Sequence, residues 1–130
     1  MVTIEFGAIW TTQVLVAGMK TVSLNILIVD DEPNIRRTLA IALEASGHRV
    51  VTASNAADGI DAAARQSFDL ALVDLRLGAD NGLDVIPKLL AHTPWTKVVV
   101  ITAYAAIDTT VEAMRRGAFD YLVKPFTPAL

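Results

Sequence analysis

The chain has 130 residues, 53% of them apolar, with 11 basic against 14 acidic side chains and a net charge of −3. That length supports one buried core without staples, and the absence of cysteine excludes a disulfide scaffold, a thiolate metal site and a cysteine nucleophile. No basic stripe is available for direct nucleic-acid binding, and no apolar run reaches the roughly eighteen residues that a membrane-spanning helix needs.

Residues 1–24 read as an N-terminal extension, either non-native or upstream sequence. Val2, Ile4, Phe6, Ala8 and Trp10 alternate as a strand does. Glu5 and the lack of a basic lead argue against a secretory signal. From Asn25 onward strand and helix patterns alternate. Ile26–Val29 is a short apolar run of the kind buried in parallel sheets, ending in Asp30-Asp31-Glu32. Pro33 suits the first turn of a helix, where its missing N–H is harmless. Ile35, Leu39, Ala42 and Leu43 share one face of that helix, and Gly47 is placed to end it.

Arg49–Ala53 reads as a second strand, and Ser54 or Asn55 as the cap of a helix reaching about Gln66. Phe68–Val73 is a third strand that delivers Asp74, and Gly78 and Gly82 open the following loop. Leu83, Ile86, Leu89 and Leu90 mark the next helix, for which Pro87 predicts a late or irregular start. Thr96–Ile101 is a fourth strand. Thr109 with Glu112 reads as a capping box for a fourth helix, which Arg115, Arg116 and Gly117 end. Phe119–Val123 is a fifth strand, and Lys124-Pro125 follows. Strands alternating with helices predict an α/β domain over 25–130, doubly wound around a five-stranded parallel sheet. The helix expected after the last strand is missing from this chain, so the domain reads as truncated after the fifth strand.

Ligands of open parallel sheets bind at the carboxyl ends of the strands. Those ends carry Asp30 and Asp31, then Asp74, Thr102 and Lys124. Three carboxylates meeting at one rim cannot all stay ionised without a cation, because like charges raise one another's pKa. A hard oxygen site with few protein ligands suits Mg²⁺. Asp74 is then the candidate nucleophile toward phosphorus, Lys124 a compact positive charge, and Thr102 a hydroxyl donor. Phosphoryl transfer asks for little more than positioning and charge neutralisation. Taken singly, each residue has a plainer reading: a strand-end aspartate as a cap, Thr102 as core, Lys124 as a solvated charge. His48 and His92 read as ordinary surface histidines. The joint placement on successive strand ends carries the argument.

Four stretches, Leu27–Pro33, Leu72–Leu77, Val100–Tyr104 and Gly117–Phe126, resemble the receiver domains of two-component response regulators, CheY-like modules. The wording of 100–128 looks most like regulators of the NtrC class. The resemblance implies a flavodoxin-like sheet of order 2-1-3-4-5. It implies a sensor histidine kinase as donor to Asp74, and a Mg²⁺ shell of Asp30, Asp31, Asp74 and the backbone carbonyl of Arg76. Thr102 and Tyr121 would be a switch pair, the hydroxyl moving toward the phosphate and the ring turning inward. The Lys124-Pro125 bond is expected to be cis. Downstream ATPase and DNA-binding domains are expected in the full-length protein, which would be cytoplasmic and free of membrane segments. A homodimer through the fourth helix and fifth strand would place Arg115, Arg116 and Asp120 near the contact.

Departures from the family pattern are Gly78, where proline is common, and Asn81-Gly82, where Asp-Gly is common; both bear on the rigidity of that loop. Arg76 and Tyr104 are bulky and would flank an attacking water, so autodephosphorylation is expected to be slow. A Mg²⁺-dependent phosphohydrolase of the haloacid-dehalogenase type is disfavoured, since Asp30-Asp31-Glu32 lacks its two-residue spacing. A receiver-like interaction module that is never phosphorylated is disfavoured by the complete acceptor set.

Overall fold

A computed structural model describes residues 23–103 and 107–124. Extension residues 1–18, Tyr104 and the Lys124-Pro125 bond lie wholly or partly outside them. The apolar runs form strands β1 (Asn25–Val29), β2 (Arg49–Ala53), β3 (Leu70–Asp74), β6 (Lys97–Thr102) and β7 (Asp120–Val123). They pair in parallel in the order β2-β1-β3-β6-β7, which is the expected 2-1-3-4-5. Four helices connect them: α1 (Pro33–Ala45), α2 (Ala56–Arg65), α3 (Gly82–His92) and α4 (Ile107–Arg115). Among the described residues no helix follows β7, and none is long and apolar enough to cross a membrane.

Successive side chains of a strand point to opposite faces, so the central strands must be apolar throughout. All five residues of β3 are buried. In β1, Leu27 and Val29 join a core with Phe68, Val73, Ile86, Leu89 and Val100 beneath α2, α3 and α4. Ile26 and Ile28 face the other way, into a second core with Leu39 and Leu43 of α1 and with Leu72, Ile101 and Leu122. Burying each such side chain contributes about 1.5–3 kcal/mol.

The helix ends follow local chemistry. Gly47, at φ +94°, closes α1 with its N–H on Glu44 and the N–H of His48 on Leu43, a Schellman arrangement that only glycine enters without strain. Gly117 closes α4 in the same way, with bonds to Met114 and from Ala118 to Ala113. Asn55 caps α2 by accepting from the N–H of Asp58 at 2.8 Å.

Several sequence expectations are corrected. Helix α3 starts at Gly82, well before Pro87. The Asn81 side chain caps it by accepting from the Leu83 N–H at 2.9 Å, and burial of Val85, Ile86 and Leu89 outweighs the one backbone bond that Pro87 removes. Thr109 is not a cap, because α4 already includes Ile107. Glu112 instead pairs with Arg116 at 2.8 Å, and Arg116 also reaches Asp84 on α3 at 2.8 Å. His48 is not a plain surface residue: half-buried, it accepts the Leu24 N–H at its Nδ1, 3.1 Å away. His92 is exposed, as expected. The loop after Asp74 contains a two-stranded antiparallel hairpin, β4 (Arg76–Leu77) with β5 (Asp80–Asn81), that the sequence pattern did not reveal.

Gly82 is required there by space. A Cβ on it would run into the carbonyl oxygen of Asp74 and lie 2.7 Å from Leu75 Cα. Both are backbone atoms at the end of a buried strand and cannot easily yield. Gly82→Ala is therefore expected to lower stability by about 1–3 kcal/mol, the usual range for overpacking, read as a drop in the urea midpoint. An unchanged midpoint would mean that the α3 N-terminus relaxes freely.

Candidate functional site

Parallel pairing brings the strand ends to one rim. Val29 of β1 lies opposite Val73 of β3, so Asp30 and Asp74 emerge side by side. Asp74 lies opposite Ile101 of β6, and Thr102 lies opposite Val123 of β7. The backbone N–H of Lys124 donates to the Thr102 carbonyl at 2.7 Å, which anchors the lysine at the same edge. The structure thus gathers every residue predicted for the acceptor and cation sites: Asp30, Asp31, Asp74, Arg76, Thr102 and Lys124.

Each carboxylate is aimed by a backbone donor. Asp30 Oδ1 accepts the Glu32 N–H at 2.8 Å, Asp74 Oδ1 accepts the Arg76 N–H at 3.0 Å, and Asp31 Oδ2 accepts the Gly78 N–H at 3.0 Å. The Arg36 guanidinium donates to the Asp30 backbone carbonyl at 2.7 Å, pinning the end of β1. Lys124 Nζ donates to Asp74 Oδ2 at 2.9 Å and to Glu32 Oε1 at 2.7 Å, and lies 3.3 Å from Asp30 Oδ2. Asp30 is fully buried, while Asp74 and Thr102 are only 4% and 6% exposed. A cleft of about 710 Å³ opens beside them, lined by Leu75, Arg76, Asn81, Leu83 and Thr102 among others.

The residues fit a hard cation. One carboxylate oxygen from each of Asp30, Asp31, Glu32 and Asp74 falls within 4.8 Å of the others. The buried Asp30 Oδ2 has no hydrogen-bond donor, so the 3.3 Å ion pair with Lys124 is its sole compensation among the described residues. Removing an anion from water raises its pKa. Burial, helped by the charge of Asp74, pushes Asp30 up from 3.8 to about 6, against the opposing pull of the Glu32 N–H and Lys124. Lys124 moves the other way from a buried amine. Burial would lower its pKa, but the hydrogen bonds to Glu32 and Asp74 and the charges of Asp30 and Asp74 outweigh it and hold the ammonium above its usual range.

One family model matches the part of the chain that carries this rim. The model for the response regulator receiver domain matches residues 26–130. The chain belongs to the response regulator receiver family. This receiver is 52% identical over 103 residues to the alginate biosynthesis transcriptional regulatory protein AlgB of Pseudomonas aeruginosa, covering 79% of this chain and 23% of AlgB. It is 43% identical to the response regulator protein PilR of the same species over 99 residues, 76% of this chain and 22% of PilR. The receiver spans about a quarter of the length of such curated relatives. Among solved structures, a response regulator from Burkholderia pseudomallei with a phosphorylated aspartic acid, a calcium ion and citrate superposes with a TM-score of 0.78. It is 38% identical, and the match covers 81% of this chain and 62% of that one. NtrX from Brucella abortus in complex with ADP gives 0.75 at 34% identity, covering 82% of this chain and 24% of NtrX.

Glu32 was missed as a member of the site. It reads in sequence as the last residue before a helix, yet it is a poor choice for a cap, where short polar side chains lead. That mismatch was the available signal.

The burial of Asp30 sets a pH dependence. Its proton is retained up to about pH 6 in the folded chain but only to the ordinary 3.8 in the unfolded one. Between those values the folded state binds more protons, so this group's contribution to stability falls as pH rises. With a chelator present, Asp30→Asn is expected to stabilise the receiver at pH 7.5 by about 1–3 kcal/mol. The gain should shrink below pH 6 and be gone near pH 4. Thermal melts of both proteins across that range check it, and a variant no more stable than wild type at pH 7.5 contradicts it.

Proposed function

We propose that this receiver is the phosphoryl-accepting switch of a two-component system, with Asp74 taking the phosphoryl group from a phosphohistidine of a sensor kinase. The observation that carries the reading is the buried Asp74 carboxylate held 2.9 Å from Lys124 beside the Asp30 and Asp31 carboxylates. A carboxylate oxygen of Asp74 attacks phosphorus, the bond from phosphorus to the imidazole nitrogen breaks, and its electron pair stays on the nitrogen. The product is an acyl phosphate.

Asp30, Asp31, Asp74 and the Arg76 backbone carbonyl would hold Mg²⁺, which when bound supplies positive charge to the phosphoryl oxygens. Lys124 pairs with one of those oxygens, and the Thr102 hydroxyl donates to another. The phosphorylated relative with a calcium ion supports both the acceptor chemistry and a divalent cation. The chain acts as a signalling domain, catalysing no more than its own phosphorylation and dephosphorylation.

Tyr121, on the edge strand β7, is 37% exposed and lies opposite Val100, two positions before the buried Thr102. This arrangement suits a resting switch: the hydroxyl moves toward the phosphate, and the ring fills the space behind it. The change would be read at α4 and β7, near Arg115, Arg116 and Asp120, by a second copy or by ATPase and DNA-binding domains of a longer, cytoplasmic regulator. The transcriptional roles of AlgB and its kin support regulation of transcription.

Incubation with acetyl phosphate or phosphoramidate and Mg²⁺ should add one phosphoryl mass to the intact chain and none to Asp74→Asn. Well-folded protein that gains no mass would favour the unphosphorylated interaction module. Arg76 and Tyr104 stand two positions past Asp74 and Thr102 in sequence and are both bulky, so the adduct should persist for minutes or longer. Decay within seconds would sink that part of the reading.

A further inference from the structure

An ammonium group carries three donors and no acceptor. The ammonium of Lys124 donates to Glu32 Oε1 at 2.7 Å and Asp74 Oδ2 at 2.9 Å, and it lies 3.3 Å from Asp30 Oδ2. The lysine side chain is itself only 11% exposed. Glu32 and a phosphoryl oxygen on Asp74 would therefore compete for the same ammonium.

The three contacts are not equally easy to release. The Asp30 side chain is 0% exposed, so water cannot readily take the place of the lysine there. Asp74 is the acceptor itself. Glu32 has a side chain 57% exposed, so water can take the place of the lysine at little cost. It is nonetheless the shortest of the three contacts, joining the start of α1 to the end of β7 across 92 positions of sequence.

The backbone around Glu32 points the same way. Glu32 sits at the N-cap of α1 with φ −90° and ψ 115°, yet its side chain makes no capping hydrogen bond. The Asp30 carboxylate takes the Glu32 N–H instead. Helix α1 forgoes a capping contact, and the Glu32 carboxylate extends over the rim toward Lys124.

We infer that Glu32 is a positioning residue, a releasable latch that holds Lys124 in the resting receiver and yields it to the phosphoryl group during transfer. The inference rests on the reading of Asp74 as acceptor. It makes the rate of phosphoryl capture depend on breaking the Glu32–Lys124 pair.

Glu32→Gln keeps the size and removes the charge at an exposed position with no capping role, so the fold is retained. With acetyl phosphate and saturating Mg²⁺, acetate being the leaving group, the variant should be phosphorylated roughly two- to fivefold faster, the scale of one exposed ion pair. Removing a negative charge also eases the approach of any anionic donor, but that long-range effect is screened by salt. Salt also weakens the exposed Glu32–Lys124 pair itself, so the lysine resonance, not the salt dependence, separates the two effects. The ¹⁵Nζ resonance of Lys124, assigned by its loss in Lys124→Arg, should move in the variant before any donor is added.

An unmoved lysine resonance or an unchanged rate each overturns the latch. So does a variant that is slower and binds Mg²⁺ more weakly by calorimetry, since Glu32 would then be a cation ligand. If wild type never gains the phosphoryl mass, the acceptor reading falls first and takes this role for Glu32 with it.

Discussion

The structure turns on the reach of one lysine. Parallel pairing of β1 with β3 forces Asp30 and Asp74 together at the sheet rim, in a setting that hides both from water. Two anions so placed repel, and each has lost part of its hydration. Lys124, delivered by the strand at the far edge, spans the rim to touch both and Glu32 as well. The positive charge at that spot offsets the repulsion between the buried carboxylates. With it, they are held as acceptors in search of further cationic charge.

The compensation is incomplete. Asp30 keeps one buried oxygen without a hydrogen-bond donor, and its pKa stands well above the carboxylate range because burial outweighs its partners. Residual electrostatic strain of this kind belongs to sites that await a ligand rather than to sites that stabilise a fold. The two apolar cores on either face of the sheet supply the stability that such a rim consumes. Their central strands are buried on both sides, and the helices above them end in local backbone motifs that need no help from the rim.

The loop after Asp74 links acceptor and scaffold. Asp31 binds the Gly78 N–H, Asp74 binds the Arg76 N–H, and Gly82 brings the start of α3 against the backbone of Asp74 and Leu75. Asn81 performs the capping that an aspartate could perform at the same place. The departures from the family pattern in this loop are thus absorbed into a short hairpin and a capped helix.

Much was legible in the sequence because it depends on local pattern. Apolar runs of four to six residues, Gly47 and Gly117 after periodic stretches, and Asn55 before α2 determined the strands and the helix ends. Acidic, hydroxyl and ammonium residues at successive strand ends marked the rim. What failed was long-range. Thr109 and Glu112 satisfied a capping spacing, but Glu112 is claimed by Arg116, and Arg116 by Asp84 on another helix. Pro87 signalled a boundary, yet buried contacts of α3 overrode it. His48 looked solvated until Leu24 was folded against it. By itself the sequence determined the fold class, the strand ends and the chemical identity of the groups on them, since these follow from periodicity and residue type. Only the tertiary structure decided which oxygen faces which nitrogen, and so that Glu32 competes for Lys124. A contact between positions 92 residues apart leaves no periodic trace in the chain.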